Sequence, residues 1–363
     1  MTATTHASFG ENTEGLEVAK AFGENIRGKT ILVTGVNRAG VGFTTAQAFA
    51  SQAPARVIIS GRTPSKLQES IDALKQDYPD VEYRTLQMDL ASQKGVRAAA
   101  AELLSWSDVP AVDIVVNNAG IMNLPERTIN EDGLEMTWAT NHLGHFLFTC
   151  LIMPKILKAA GQNPKGATRI INVTSGSPIM AVPRFSDVNF ETVNKDLPEE
   201  EQPMYQLLEA WGYTDTQNKA YVGIEAYNQS KVANVLFSVG LNHRLFERHG
   251  ILSLAVHPGV LKTELSRAAV PEVTAAIKKM FEQKVFTWRS QGAGASTSLT
   301  AATDPKLSLP VTDPGREDGK ENVGVFLMDC QITDKARAPS TSSANAEKLW
   351  EISEGYVKEK FAW

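Results

Sequence analysis

The sequence has few cysteines, no long apolar run and no cluster of basic residues. Its two cysteines, Cys150 and Cys330, cannot form the disulfide framework of a small secreted protein, so we expect a reducing compartment, the cytoplasm. No stretch approaches the roughly 18 consecutive apolar residues of a membrane span. The formal net charge of −5 and the lack of a basic run give no indication of a nucleic-acid partner.

The N-terminal segment also lacks the features of a targeting sequence. Residues 1–28 are polar and carry acids, unlike a signal or transit peptide. With 42% hydrophobic and 21% charged residues, the 363-residue chain has the composition of an ordinary globular protein. Its length allows about two domains or one large α/β domain. We predict an N-terminal extension over 1–28 and one catalytic, dinucleotide-binding domain over 29–363, for the reasons that follow.

A phosphate-binding turn is predicted near the start of this domain. Residues 29–34 (KTILVT) form a short β-branched run typical of a buried parallel strand. A glycine-rich turn follows over 35–42 and leads into a helical stretch over 43–52. Glycines let the backbone approach a pyrophosphate, and the helix N-terminus offers free N–H groups. A tight turn between strand and helix would explain the glycines equally well, so this stretch alone leaves cofactor binding open.

The second strand, over 56–60, indicates which dinucleotide would bind. About twenty residues after the glycine loop, NAD-binding folds place an acid that binds the ribose 2′-hydroxyl. Here Gly61 and Arg62 occupy that place, and Arg38 projects from the glycine loop. Two cations without a carboxylate favour a 2′-phosphate, and hence NADP. The alternative is that Arg62 is a solvated residue at the strand end.

Later strands end in small or polar residues. A third strand runs into Asp89 and Leu90, where Asp89 could accept a hydrogen bond from an adenine amino group or cap the helix near Ser92. The fourth strand, over 112–116, precedes the sequence NNAG at 117–120, whose small residues suit close approach of a cofactor. A helix is predicted over 134–153, ended or kinked by Pro154. His142 and His145 within it lack a third metal ligand, so no metal site is predicted.

Tyr227 and Lys231 lie four positions apart in a predicted helix over 226–247, and therefore on one face of it. A free tyrosine has a pKa of about 10, and a fixed ammonium one turn away should lower that pKa. Such a tyrosine can protonate a carbonyl oxygen as hydride reaches the carbon. Taken alone, this pair would more often be surface decoration.

The ordered motifs resemble those of the short-chain dehydrogenase/reductase family, and within it the fungal members similar to retinol dehydrogenases and WW-domain oxidoreductases. The family's TGxxxGxG loop is matched by Thr34, Gly35, Gly40 and Gly42, with one residue more than in the common form. The NNAG motif is intact, and residues 257–263 match the loop after the sixth strand. The likeness covers about residues 25–360.

The resemblance implies a single doubly wound parallel α/β sheet (a Rossmann fold) with helices on both faces. It also implies an NADP-dependent enzyme that interconverts a ketone or aldehyde with an alcohol, acting on a bulky apolar small-molecule substrate, with a homo-oligomer possible. Asn141, Ser175, Tyr227 and Lys231 would be catalytic. The residues implied to bind NADP are Gly35, Asn37, Arg38, Gly40, Val41, Gly42, Arg62, Asp89, Leu90, Asn117, Ala119, Gly120, Tyr227, Lys231, Pro258, Gly259, Val260 and Thr263.

Two other functions stay open at this point. A protein that kept the fold and lost the chemistry would act as an NADP sensor or scaffold, although the intact Ser, Tyr, Lys and Asn set disfavours it. A sugar-nucleotide epimerase shares a glycine loop and a Tyr-x-x-x-Lys pair, but NNAG and the lack of a sugar-nucleotide domain argue against one.

One departure from the family lies between Ser175 and Tyr227, which are usually much closer in sequence. The extra segment, about 178–225, is acidic and rich in aromatics, with a short helix predicted over 207–211. Long loops of this kind commonly cover a substrate. We therefore predict a substrate-side insertion, with an inert surface elaboration as the alternative.

Overall fold

The computed structural model describes residues 4–262, 265, 271–308 and 318–363, without the side chains of 271–273. Thr263, one of the predicted cofactor ligands, lies outside the described residues. The strands are β1 (Thr30–Thr34), β2 (Arg56–Gly61), β3 (Glu82–Gln87), β4 (Ile114–Asn117), β5 (Thr168–Val173), β6 (Ile251–His257), β7 (Phe326–Met328) and β8 (Gln331–Ile332). The helices are α1 (Gly15–Ala21), α2 (Val41–Ala50), α3 (Pro64–Asp77), α4 (Gln93–Ser105), α5 (Met136–Trp138), α6 (Gly144–Leu151), α7 (Met153–Ala160), α8 (Ser177–Met180), α9 (Tyr205–Ala210), α10 (Gly223–His249), α11 (Pro271–Glu282), α12 (Gln291–Thr303) and α13 (Ser343–Val357).

The strands form one sheet in the order β3-β2-β1-β4-β5-β6-β7-β8. Every neighbouring pair is parallel except β7 and β8, which are antiparallel. Side chains alternate between two apolar layers, because Leu32 packs on one face of the sheet while Ile31 and Val33 pack on the other. The predicted doubly wound fold is confirmed. The order reverses between β1 and β4, where ligands bind at the carboxyl ends of such strands.

The helix predicted over 134–153 has an irregular start and a sharp end. Residues Ala139–Leu143 form a π-helical turn between α5 and α6, and helix α7 leaves α6 at an angle of 60° with Pro154 in its first turn. Among the described residues no single helix has the length and hydropathy of a membrane span, whereas this bent pair meets both criteria together. The π-turn contains Asn141, the poor helix former in this stretch, and such turns recur at functional sites.

The segment before β1 packs against the catalytic domain. Val18 and Ala19 on α1 and Ile26 after it are fully buried in the same apolar layer as α2 and α12. Asn25 donates from Nδ2 to the Thr303 carbonyl at 2.8 Å, and the Thr5 backbone N–H donates to Asp304 at 2.7 Å. The polar composition of 1–28 therefore conceals an apolar stripe that completes one face of the core.

We expect Ile26→Ala to lower the free energy of unfolding by about 2–5 kcal/mol, because it leaves a cavity in this layer. Leu16→Ala is the matched control, since Leu16 is 48% exposed on the neighbouring helix and should change stability by less than about 0.5 kcal/mol. Denaturant unfolding followed by tryptophan fluorescence measures both. Equal effects of the two substitutions would show that the segment does not pack as described.

Candidate active site

A cavity of about 360 Å³ runs along the carboxyl ends of β1, β2, β4 and β5. Its lining joins most of the predicted site, in the order of the chain: Gly35, Asn37, Gly40, Val41, Gly42, Arg62, Asp89, Leu90, Ala119, Gly120, Ser175, Tyr227, Lys231, Pro258 and Gly259. The predicted glycine loop, strand ends and helix α10 thus meet around one space.

The glycine loop has the shape of a phosphate cradle. Gly35 adopts a φ of +71°, and a Cβ there would lie 2.6 Å from the Cα of Ala119. A Cβ on Gly42 would lie 2.7 Å from the Gly35 carbonyl oxygen. These two positions therefore require glycine, and α2 begins at Val41 with its N-terminal N–H groups at the loop. The residues present fit a dinucleotide pyrophosphate at this end.

The cations predicted to bind a 2′-phosphate differ in placement. Arg62 lines the cavity, and so does Lys66 in the first turn of α3, which sequence reasoning missed. The Arg38 guanidinium instead lies over the Phe43 ring, 4.8 Å from its centroid. Lys66 could have been found from its place in the first turn of the helix that follows Arg62, because the N-terminus of that helix lies next to the strand end.

Two of the predicted cofactor ligands, Asn117 and Val260, do not line the cavity. Asn117 is buried between strands, donating from Nδ2 to Thr149 Oγ1 at 3.0 Å and to Asn172 Oδ1 at 2.9 Å. Its neighbour Asn118 lines the cavity instead and donates to the Thr34 carbonyl at 2.8 Å. The Val260 carbonyl accepts from the Arg289 backbone N–H at 3.0 Å, so this residue supports the loop after β6. Asn118 therefore takes the place in the cavity lining that the resemblance implied for Asn117, because successive strand residues face opposite sides.

Asp89 does not cap the helix that begins near Ser92, which was one of its two predicted roles. Its Oδ1 accepts from the Ala91 backbone N–H at 3.0 Å, while Ser92 is the N-cap of α4 and accepts from the Gly95 N–H at 3.1 Å. Asp89 and Leu90 line the cavity at the end of β3, where the adenine side of a dinucleotide would lie.

Asn141 joins the strand end of β4 to helix α10. Its Oδ1 accepts from the Ile121 backbone N–H at 2.8 Å, and its Nδ2 donates to the Ile121 carbonyl and to Ser230 Oγ, both at 2.9 Å. The side chain is fully buried and completely hydrogen-bonded within the protein. Asn141 thereby fixes the backbone next to Gly120, and the catalytic role that the resemblance implies for it stays a prediction.

The buried His145 supports the same region in its neutral form. Burial and the nearby Lys231 charge lower the pKa of His145 to about 4. Thr34 Oγ1 accepts from the backbone N–H groups of Asn118 and Ala119, at 2.9 and 3.0 Å, so its own proton goes to His145 Nε2 at 2.9 Å. His145 Nδ1 then donates to the Asn141 carbonyl at 3.0 Å. Within the described residues no group of three or more His, Cys, Asp or Glu side chains could hold a metal ion.

Ser175, Tyr227 and Lys231 meet at the inner end of the cavity. Lys231 Nζ donates to the Val173 carbonyl at 3.0 Å and lies 5.6 Å from the centroid of the Tyr227 ring. The Ser175 side chain is close enough to influence the Tyr227 hydroxyl. Tyr227 is 7% exposed and Lys231 is 3% exposed. The helical pair is therefore a buried pair facing the strand ends, and the surface alternative is excluded.

Burial controls the protonation of this pair. It raises the pKa of Tyr227 to about 12, and the nearby Ser175 side chain opposes that rise. It lowers the pKa of Lys231 to about 8. The expectation that Lys231 lowers the pKa of Tyr227 below 10 is wrong, because burial raises that pKa instead. Desolvation of the phenolate dominates, and the ammonium is hydrogen-bonded to a backbone carbonyl.

The insertion over 178–225 supports one wall of the site, although none of its residues lines the cavity itself. Tyr213 Oη donates to Asn123 Oδ1 at 2.8 Å, and Tyr221 Oη donates to the Leu124 carbonyl at 3.2 Å. A Cβ on Gly223 would lie 2.3 Å from that carbonyl oxygen, so the end of the insertion packs directly on this backbone. Leu124 lines the cavity with Ile121 and Met122. The short helix predicted over 207–211 is present as α9.

Comparison with known proteins agrees with this geometry. Residues 29–187 match the family model for short chain dehydrogenase. Oxidoreductase fscI of Fusarium equiseti is 36% identical over 251 residues, which span 69% of this chain and 94% of that protein. The chain belongs to the short-chain dehydrogenase/reductase family.

Further matches place this family member among oxidoreductases. Retinol dehydrogenase 14 of Mus musculus is 30% identical over 344 residues, or 92% of this chain and 86% of that protein. The solved structure of L-sorbose reductase from Gluconobacter frateurii, complexed with NADPH and L-sorbose, matches with a TM-score of 0.52 and 18% identity over 78% of this chain and 92% of that chain. The last likeness shows the fold alone.

We expect Tyr213→Phe to lower the free energy of unfolding by about 1–3 kcal/mol, because it leaves the buried Asn123 Oδ1 without a donor. Tyr205→Phe is the matched control in the same insertion, since its hydroxyl contacts only partly buried Gln202 at 3.2 Å. Denaturant unfolding measures both variants. A Tyr213→Phe protein as stable as the Tyr205→Phe protein would contradict the proposed anchoring of this wall.

Proposed function

We propose that this enzyme uses NADPH to reduce a ketone or aldehyde to the alcohol, and that its substrate is apolar and bulky. The observation that carries the proposal is that Ser175, Tyr227 and Lys231 line the same cavity as Arg62 and Lys66. NADPH, when bound, supplies the hydride. The cavity lining includes the apolar residues Ile121, Met122, Leu124, Leu261 and Leu265, and their presence favours an apolar substrate.

The protein's own residues would handle the developing charge on the carbonyl oxygen. Tyr227 is protonated at neutral pH, because its pKa is raised to about 12, and it would donate its phenolic proton to that oxygen. Ser175 lies beside it and would hold the same oxygen by a second hydrogen bond. Lys231, fixed on the Val173 carbonyl, would bind the nicotinamide ribose and stabilise the phenolate that remains. Arg62 and Lys66 would bind the 2′-phosphate.

A screen of NADPH oxidation over ketones and aldehydes, from small aliphatic to polycyclic, tests this function directly. Carbonyl-dependent oxidation with a matching alcohol product supports it. Tight NADPH binding without any carbonyl-dependent oxidation would instead favour a catalytically silent sensor.

Tyr227→Phe should lower kcat by about 100-fold or more, because it removes the proton donor and retains the ring. NADPH affinity, measured by fluorescence titration, should stay within about threefold. Tyr356→Phe, a substitution of the same kind on α13 away from the cavity, is the control. A Tyr227→Phe enzyme that kept more than about a tenth of the wild-type kcat would refute this role.

Cofactor choice should depend on Arg62 and Lys66. Arg62→Ala and Lys66→Ala should each raise KM for NADPH about tenfold with little change in kcat, because the lost contact exists in ground and transition states alike. Neither should change KM for NADH. Lys75→Ala, in the last turn of the same helix α3, is the control. Equal kcat/KM values of the wild type for NADPH and NADH would show that NADP preference is wrong.

A further inference from the structure

A chain of hydrogen bonds leads from Ser175 to a buried carboxyl group. Ser175 Oγ and Ser177 Oγ lie 2.7 Å apart, and Ser177 Oγ donates to Asn228 Oδ1 at 2.8 Å. Asn228 Nδ2 in turn donates to Glu225 Oε1 at 2.7 Å. Glu225 is only 5% exposed, and it also lines a second cavity of about 120 Å³ on the far side of α10.

The chemistry of these groups gives the chain a direction. An amide oxygen only accepts, so the single proton of the Ser177 hydroxyl goes to Asn228 Oδ1. Ser175 must then be the donor to Ser177, while its own oxygen accepts from the Ser177 backbone N–H at 3.0 Å. In this arrangement the Ser175 proton points away from the substrate and leaves Tyr227 to donate alone.

We propose that Glu225 and Asn228 are positioning residues that decide whether the Ser175 hydroxyl proton points at Ser177 or at the substrate oxygen. This inference rests on the proposed carbonyl reduction. A carboxylate at Glu225 accepts from Asn228 Nδ2 and holds the amide in the orientation just described. A carboxylic acid at Glu225 donates to the Asn228 oxygen of the amide turned by 180°. Asn228 then donates to Ser177, Ser177 donates to Ser175, and the Ser175 proton is free for the substrate.

Glu225 can adopt both states near neutral pH. Burial raises the pKa of Glu225 to about 7, against the opposing effects of the Asn228 hydrogen bond and the Arg184 charge. The second cavity provides a route for protons. The other titratable or charged side chains around Glu225 are Arg184 and Tyr213 in the insertion, Glu199, Glu200, Glu201 and Tyr205 near the second cavity, Arg337 after β8, and Tyr227 and Lys231 on α10 itself.

The sign of the pH effect follows from these two states. Below the Glu225 pKa the acid form predominates, and Ser175 donates to the substrate without breaking its hydrogen bond with Ser177. Above it, Ser175 must break its bond to Ser177 before it can donate. We expect kcat/KM for reduction to fall about fivefold as pH rises through about 7, the value of one hydrogen bond of ~1 kcal/mol.

The test compares the pH profiles of kcat/KM for wild type, Glu225→Gln and Ser177→Ala. The glutamine side chain does not titrate, so Glu225→Gln should give a profile without the step between about pH 6 and 9. Ser177→Ala interrupts the chain and should also lose the step. Glu201→Gln is the matched control, because Glu201 borders the same cavity but accepts from Ser186. A wild-type profile without this step, or a step that survives Glu225→Gln, would overturn the proposal.

An infrared pH titration of the ligand-free protein tests the chain without turnover. A band of a buried carboxylic acid should disappear as pH rises through about 7 in the wild type and in Glu201→Gln, and should be absent in Glu225→Gln. Asn228→Ala should move that titration upward, because it removes the hydrogen bond that lowers the Glu225 pKa. If the band titrates as described but no carbonyl compound is reduced, the proposed function is wrong, whereas the titration of Glu225 within the hydrogen-bond chain is confirmed. If the band is missing, the positioning role fails whatever the enzyme reduces.

Discussion

The hydrogen bond from the Lys231 ammonium to the Val173 carbonyl fixes how helix α10 meets strand β5. Asn234 Nδ2 donates to the same carbonyl at 3.1 Å, and Thr174 Oγ1 donates to the Lys231 carbonyl at 2.6 Å. Burying an ammonium without such a partner would cost on the order of several kcal/mol of desolvation free energy. The fold therefore requires a hydrogen-bond acceptor for Lys231 at this position. One turn before Lys231 on the same face, Tyr227 is carried to Ser175, the second residue beyond β5.

Burial then sets the protonation of Tyr227, Lys231 and His145. It raises the pKa of Tyr227 to about 12, lowers that of Lys231 to about 8 and lowers that of His145 to about 4. At neutral pH the site therefore holds a protonated phenol, a mostly charged lysine and a neutral histidine. This combination is ready to give a proton to a substrate oxygen and to stabilise the anion that results.

The sequence was sufficient to predict the features that depend on local patterns of residues. It was not sufficient where the prediction depends on which side of a strand a side chain faces or on how deeply the side chain is buried. The strands, the glycine loop and the Tyr227–Lys231 pair follow from periodicity, φ requirements and helical spacing. Asn117 and Asn118 cannot be separated in this way, because the NNAG motif does not say which asparagine faces the core. The tyrosine pKa was predicted in the wrong direction, since spacing reveals the nearby charge and conceals the burial that outweighs it.

The insertion shows how one buried charge can organise a long segment. Arg184 donates to Asp187 Oδ2 and to Asn194 Oδ1, both at 2.6 Å, and its backbone N–H donates to Gln229 Oε1 at 2.6 Å. Gln229 also donates from Nε2 to the Val182 carbonyl at 2.7 Å, so the insertion is fixed to α10 two residues after Tyr227. Gln229 and Tyr227 are two positions apart on α10, so they point to different sides of the same helix turn. One side of this turn holds the insertion through Gln229, and the other side carries Tyr227 to the cavity. The position of the insertion and the position of Tyr227 therefore both depend on where α10 packs.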